Sequence, residues 1–290
     1  MKIAYIILAH TAPLHLARLV DALTFEQNGI FVHIDAKTDI NIYNDFISKR
    51  VAILPERVPV HWGDFSQVEA ILLLLSTALA HPARYDYFTL LSGVDYPIQP
   101  NTYIMDFFRR NAGCEFINMV KMPAPEIGKP ISRLTQYFRR PGETAAQATY
   151  RDHAKVFGAV APYAGGTWWS LTRATCERVL AFVSKKPEIV EFYKNTHCPD
   201  EGFFQTAVAN AVPDAKIRTN LTYADWSTGG RSPSELTDEH LAVLGRDVVI
   251  GKSGCGEGEV LFARKFSDAS EELVGRLNAI TRAKRARVKQ

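Results

Sequence analysis

No apolar run in this 290-residue sequence is long enough to cross a bilayer: the longest, residues 70–80, carries Ser76 and Thr77 and falls short of the roughly 20 residues a spanning helix needs. The opening run, residues 3–9, is shorter still and lacks the flanks of a signal peptide. Cysteine is scarce. Cys114, Cys176, Cys198 and Cys255 are scattered with no CxxC or CxxH spacing, which argues against zinc ligation and a disulfide framework and fits a reduced, cytoplasmic setting. Charge of one sign is lacking too: the formal net charge of +3 is too small for the surface as a whole to bind nucleic acid. Disorder is excluded, because 47% apolar against 22% charged residues supplies an ordinary core. The expectation is a soluble protein of one large or two small domains.

The usual phosphate-binding signatures are absent as well. No GxGxxG follows the first strand-like run, and no GxxxxGK[ST] occurs anywhere. There is no DxD triplet to hold a divalent ion; Asp35 and Asp39 are four apart with Lys37 between them, a poor metal site. A diphosphate bound by this chain would have to be neutralised by side-chain cations.

What is present is an alternation of two textures. Runs rich in β-branched and aromatic residues at 3–9, 30–34, 51–54, 87–91 and 115–120 are separated by segments with helical spacing, such as Leu16, Leu19, Val20 and Leu23, and then residues 68–79. That order predicts βα units and a mainly parallel sheet covered on both faces. Residues 123–163 break the pattern with Pro123, Pro125, Pro130 and Pro141 and many cations, and read as an irregular excursion bearing on a substrate. Helices are expected over 174–184 and 201–211, and loops over 229–234 and 251–258. Arg282, Lys284, Arg285, Arg287 and Lys289 make residues 282–290 a basic, frayed helical tail, for which peripheral contact with the inner face of a membrane is the expectation.

Ligands of open parallel sheets bind beyond the carboxyl ends of the strands. His10 follows the first strand, Asp35 ends the second, and Ser92-Gly93-Val94-Asp95 follows the fourth, so together they outline a nucleotide-side crevice. Asp95 either caps the next helix or reaches a bound sugar. Trp168 and Trp169 are neighbours in a strand-like segment, where one side chain faces the core and the other is available to stack on a sugar ring. Glu201 is expected in the first turn of a helix, where the dipole favours an ionised carboxylate.

Several motifs, in order along nearly the whole chain, resemble one family. They are Ala4-Tyr5-Ile6-Ile7-Leu8-Ala9-His10, Val32-His33-Ile34-Asp35-Ala36-Lys37, Trp62-Gly63-Asp64-Phe65-Ser66 and Leu90-Leu91-Ser92-Gly93-Val94-Asp95-Tyr96-Pro97. Gly166-Thr167-Trp168-Trp169-Ser170, Pro199-Asp200-Glu201-Gly202-Phe203-Phe204 and Leu261-Phe262-Ala263-Arg264-Lys265-Phe266 continue the series. The sequence is similar to the core-2/I-branching β-1,6-N-acetylglucosaminyltransferases and the related peptide O-xylosyltransferases.

The resemblance implies a GT-A-like (Rossmann-like) α/β domain over residues 1–281, its central mainly parallel sheet flanked by helices, followed by the basic tail 282–290. It implies inverting transfer of a sugar, N-acetylglucosamine or xylose, from a UDP-sugar donor to a hydroxyl of a glycan acceptor. No metal is expected, and the UDP-sugar is a co-substrate rather than a cofactor. Glu201 resembles the family's catalytic base, and Lys265 and Arg231 the residues that hold the diphosphate. Asp35 resembles the acid on the nucleoside side, with His10 and Asp95 beside it on the donor side and Trp168 and Trp169 toward the acceptor. Animal members carry a membrane anchor and several disulfides, whereas this sequence looks like a bacterial-type relative without them. The alternative is a non-catalytic nucleotide-sugar or glycan-binding protein on the same fold, which would have little reason to keep both Glu201 and Lys265. A Rossmann oxidoreductase fits the alternating texture but lacks the glycine fingerprint.

Overall fold

The computed structural model describes residues 1–26, 28–44, 51–138, 147–230 and 232–287. In chain order its strands are β1 (Ile3–Ala9), β2 (Gly29–Ile34), β3 (Ala52–Ile53), β4 (Tyr87–Ser92), β5 (Asp95–Pro97), β6 (Cys114–Lys121) and β7 (Gln136–Tyr137). They continue with β8 (Thr149–Tyr150), β9 (Tyr163–Thr172), β10 (Lys216–Arg218), β11 (Thr222–Ala224), β12 (Ile250–Ser253), β13 (Gly256–Glu259) and β14 (Phe262–Arg264). Seven of them form the central sheet in the order β10-β6-β9-β4-β1-β2-β3, and β9 alone runs against the rest.

The near-continuous apolar character of β1 follows from its central position. Ile3, Tyr5 and Ile7 enter one core while Ala4 and Ile6 enter the other, so both faces of the strand are buried and no polar alternation survives. The first core is closed by the helices Pro13–Leu23, Asn101–Arg110 and Glu271–Arg287, through residues such as Leu19, Phe108 and Leu277. The second is closed by Ser66–Ala80, Arg173–Lys185 and Phe203–Ala211, through Leu74, Val179 and Phe204. The result is a three-layer α/β/α architecture with a mainly parallel sheet. A small second sheet has the order β11-β14-β5, and its strand β5 follows directly on β4 of the large one.

Four expectations change. The helix expected from residue 201 starts at Phe203: Pro199–Glu201 is a 3-10 turn closed by Gly202 N–H donating to the Pro199 carbonyl at 3.0 Å. Glu201 therefore lies outside the α-helix, and the helix dipole is not what holds its charge. Residues 251–258 are no loop but the β12-β13 hairpin, turned at Gly256 with φ of 121°, a region open to glycine. The excursion is irregular as expected, yet it contains a 3-10 turn (Pro125–Ile127), a short helix (Ser132–Thr135), the β7-β8 hairpin and the helix His153–Phe157; Pro141 lies outside the described residues. Finally, Glu271–Arg287 runs unbroken through the expected boundary at 281/282. Lys284 is buried, its Nζ donating to the carbonyls of Ile98 and Leu244 at 3.3 and 3.4 Å. Its aliphatic stem extends the apolar stripe of Val274 and Leu277 while the ammonium finds backbone acceptors. Lys289 lies outside the described residues. Among the described residues, no helix is long and apolar enough to cross a membrane.

Candidate active site

Beyond the carboxyl ends of β1, β2 and β4, where ligands of such sheets bind, lies a cleft of about 1100 Å³. The far wall comes from β9, the turn Pro199–Glu201, the β12-β13 hairpin and the end of β14. His10, Asp35, Trp168, Glu201 and Lys265 all line it, so one space gathers five of the residues singled out from the sequence.

Glu201 enters the cleft from the turn Pro199–Glu201. Its Oε2 accepts from Lys129 Nζ at 2.5 Å and from Arg133 Nη1 at 2.7 Å. Burial pushes the carboxyl pKa up, but the two cations outweigh it and leave the group below the ordinary glutamate value. Asp200, one residue away, goes the other way, pushed up to about 6 by burial and by the charge of Glu201. Its Oδ2 accepts from Thr167 Oγ1 at 2.6 Å and from Gln67 Nε2 at 3.2 Å. The two neighbouring carboxylates thus have environments that drive their pKa values apart, Glu201 downward and Asp200 upward.

Arg264 ends β14 and Lys265 follows it, both lining the same cleft. Arg264 sits directly opposite Asp95 in the antiparallel β14-β5 register. Its Nε is 3.5 Å from Asp95 Oδ1, and its guanidinium carbon lies 4.0 Å from the centre of the Trp168 ring, a cation–π distance. Lys265 makes no ion pair or side-chain hydrogen bond among the described residues; burial and then the charge of Arg264 lower its pKa. Asp35 accepts from the backbone of Lys37 and Val60 at 2.9 and 3.3 Å. Lys37 Nζ stands 3.6 Å from its Oδ2 and donates to the Val60 carbonyl. His10 lies beside this pair, its pKa lowered by burial against the opposing pull of Asp35.

Two assignments change at this point. Asp95 is fully buried and does not line the cleft. Instead of capping a helix, its carboxylate accepts from Ser92 N–H and Ser92 Oγ, each at 3.0 Å, and faces Arg264. Trp169 points into the core against Phe204, with ring centroids 5.5 Å apart, and cannot reach an acceptor. Arg231 lies outside the described residues. Lys129, Arg133 and Arg264 do not stand out in these roles from the sequence. Arg264 has a signal there, since it stands beside Lys265 in the run Leu261-Phe262-Ala263-Arg264-Lys265-Phe266; the other two have none beyond the cationic character of the excursion.

Three comparisons show which known proteins this chain is similar to. The family description "Core-2/I-Branching enzyme" matches residues 3–244. Xylosyltransferase 2 of Mus musculus is 24% identical over 244 residues, covering 78% of this chain and 27% of that protein. Xylosyltransferase 2 of Bos taurus is 22% identical over 311 residues, with 96% and 33% covered. The chain thus spans between a quarter and a third of the length of these relatives. A crystal structure of mouse xyloside xylosyltransferase 1, apo form, aligns at a TM-score of 0.41 and 11% identity over 90% of this chain and 97% of that one.

Proposed function

The chain belongs to the Core-2/I-branching enzyme family, and from that premise we propose that it is an inverting glycosyltransferase moving a sugar, N-acetylglucosamine or xylose, from a UDP-sugar to a hydroxyl of a glycan acceptor. The observation that carries this reading is that Glu201 and the Arg264-Lys265 pair line one cleft. In a single displacement the acceptor oxygen bonds to the anomeric carbon as the bond to the diphosphate oxygen breaks. The hydroxyl proton passes to Glu201, and the bonding pair leaves on the diphosphate. Lys265 supplies a point charge and Arg264 a planar fork for that growing negative charge, joined by Arg231. His10 and Asp35 frame the nucleoside end.

Cations of the protein then do the work a divalent ion does elsewhere. Release of UDP from UDP-N-acetylglucosamine or UDP-xylose is expected to continue in excess EDTA. Activity that vanishes with chelator and returns with manganese or magnesium would show that the reading of the diphosphate site is wrong. The same site predicts the behaviour of Lys265→Ala: UDP affinity falls roughly 10- to 150-fold, the loss of one charge-assisted contact, while uridine affinity stays near wild type. Calorimetric titration of both ligands checks this, and equal losses for the two would remove Lys265 from the phosphates.

A further inference from the structure

The excursion 123–163 has no part in the mechanism above, yet it supplies both cations that meet Glu201. Lys129 is fixed from behind: its backbone N–H and carbonyl pair with Ala124, at 3.0 and 2.8 Å. Arg133 follows in the short helix Ser132–Thr135. Both donate to the same carboxylate oxygen, Oε2. Oε1 takes no hydrogen bond among the described residues, nor is it among the atoms sealed from solvent without a partner. Since Glu201 lines the cleft, the carboxylate is held by one oxygen with the other left open.

We propose that Lys129 and Arg133 are positioning residues, which clamp Oε2 of Glu201 so that Oε1 is presented to the acceptor hydroxyl. The inference rests on Glu201 acting as the base, and it gives the excursion a role in the reaction, orienting that base. Two donors from directions fixed by separate backbone segments leave the carboxylate little freedom to rotate, and orientation of a reacting group is a large part of catalytic rate. The charged and titratable groups facing Glu201 are Lys129 and Arg133 from the excursion and Asp200 and Cys198 from its own segment. The two cations favour its ionised form, while burial and the neighbouring Asp200 oppose it.

The test uses the whole chain labelled with carbon-13 at the glutamate carboxyl, the Glu201 signal being assigned by its loss in Glu201→Gln. In wild type that signal is expected to titrate below the ordinary glutamate range. In Lys129→Met, and separately in Arg133→Met, its midpoint is expected to rise by roughly one pH unit, the effect of removing one adjacent opposite charge. The acid limb of UDP-sugar hydrolysis should move with it and kcat should fall about tenfold or more, with donor KM unchanged. Lys129→Arg should restore both midpoint and rate toward wild type. A Glu201 titration that is unchanged in both Met variants overturns the clamp, as does a rise in donor KM at constant kcat, which would make these residues substrate contacts. The NMR midpoint is read without turnover, so failure of the clamp is distinguishable from failure of Glu201 as base, which a fully active Glu201→Gln would reveal.

Discussion

Glu201→Gln is expected to lower transfer roughly 10²- to 10⁴-fold, the usual cost of removing a positioned general base, while UDP binding stays within a few-fold of wild type. The glutamine keeps the size of the side chain and an acceptor oxygen for Lys129 and Arg133, but it cannot take the proton of the acceptor. On the proposed reading donor affinity is spared because the diphosphate is held by the cations Arg264 and Lys265, which Glu201→Gln does not touch. Stability should fall by more than a helix-dipole contact would suggest, since Glu201 pairs with two cations instead of capping a helix. Weakening of these charge-assisted bonds corresponds to about 1.5–3 kcal/mol. The measurements are turnover, a calorimetric titration with UDP and a denaturant midpoint on both proteins. Turnover within a few-fold of wild type removes Glu201 as base; joint loss of UDP binding and fold makes it structural.

Asp95→Ala is expected to be the most destabilising single change near the site, by about 3–5 kcal/mol. Asp95 is fully buried and Arg264 nearly so, and they face each other across β5 and β14. Burial raises the pKa of Asp95, and the positive charge of Arg264 and the two bonds from Ser92 offset only part of that rise. Removing the carboxylate leaves a guanidinium stacked on Trp168 with no counter-charge. Replacing both partners by apolar residues removes the uncompensated charge, so Asp95→Leu with Arg264→Met should be milder than Asp95→Ala alone. Urea unfolding of the three proteins decides it. A loss under about 1 kcal/mol in Asp95→Ala would mean that Arg264 is rehydrated through the cleft and that the pair contributes little.

Asp95 shows how a polar residue at a strand end can be read wrongly. Its place after β4 fits both a ligand contact and a helix cap, and the structure instead sets it against Arg264. The reason is the second sheet, which brings residue 264 opposite residue 95, a pairing with no local signature. Trp168 and Trp169 are a gentler case. Strand alternation requires their side chains to diverge, but a period of two is satisfied equally well by either choice. Only the packing of β9 against the helix Phe203–Ala211 buries Trp169 and leaves Trp168 to Arg264.

The sequence by itself determined the βα order, the mainly parallel sheet and the ordered motifs that carry Glu201 and Lys265. Those features rest on periodicity and on short runs of residues, interactions that neighbours in the chain already contain. The tertiary structure alone decided which charges meet. Lys129 and Arg133 reach Glu201 across 72 and 68 residues, and Asp95 finds Arg264 on a strand near the other end of the chain. A carboxylate's ionisation depends on burial and on cations within a few ångströms. Those distances are fixed by the folding of the excursion and the second sheet, which no local pattern encodes.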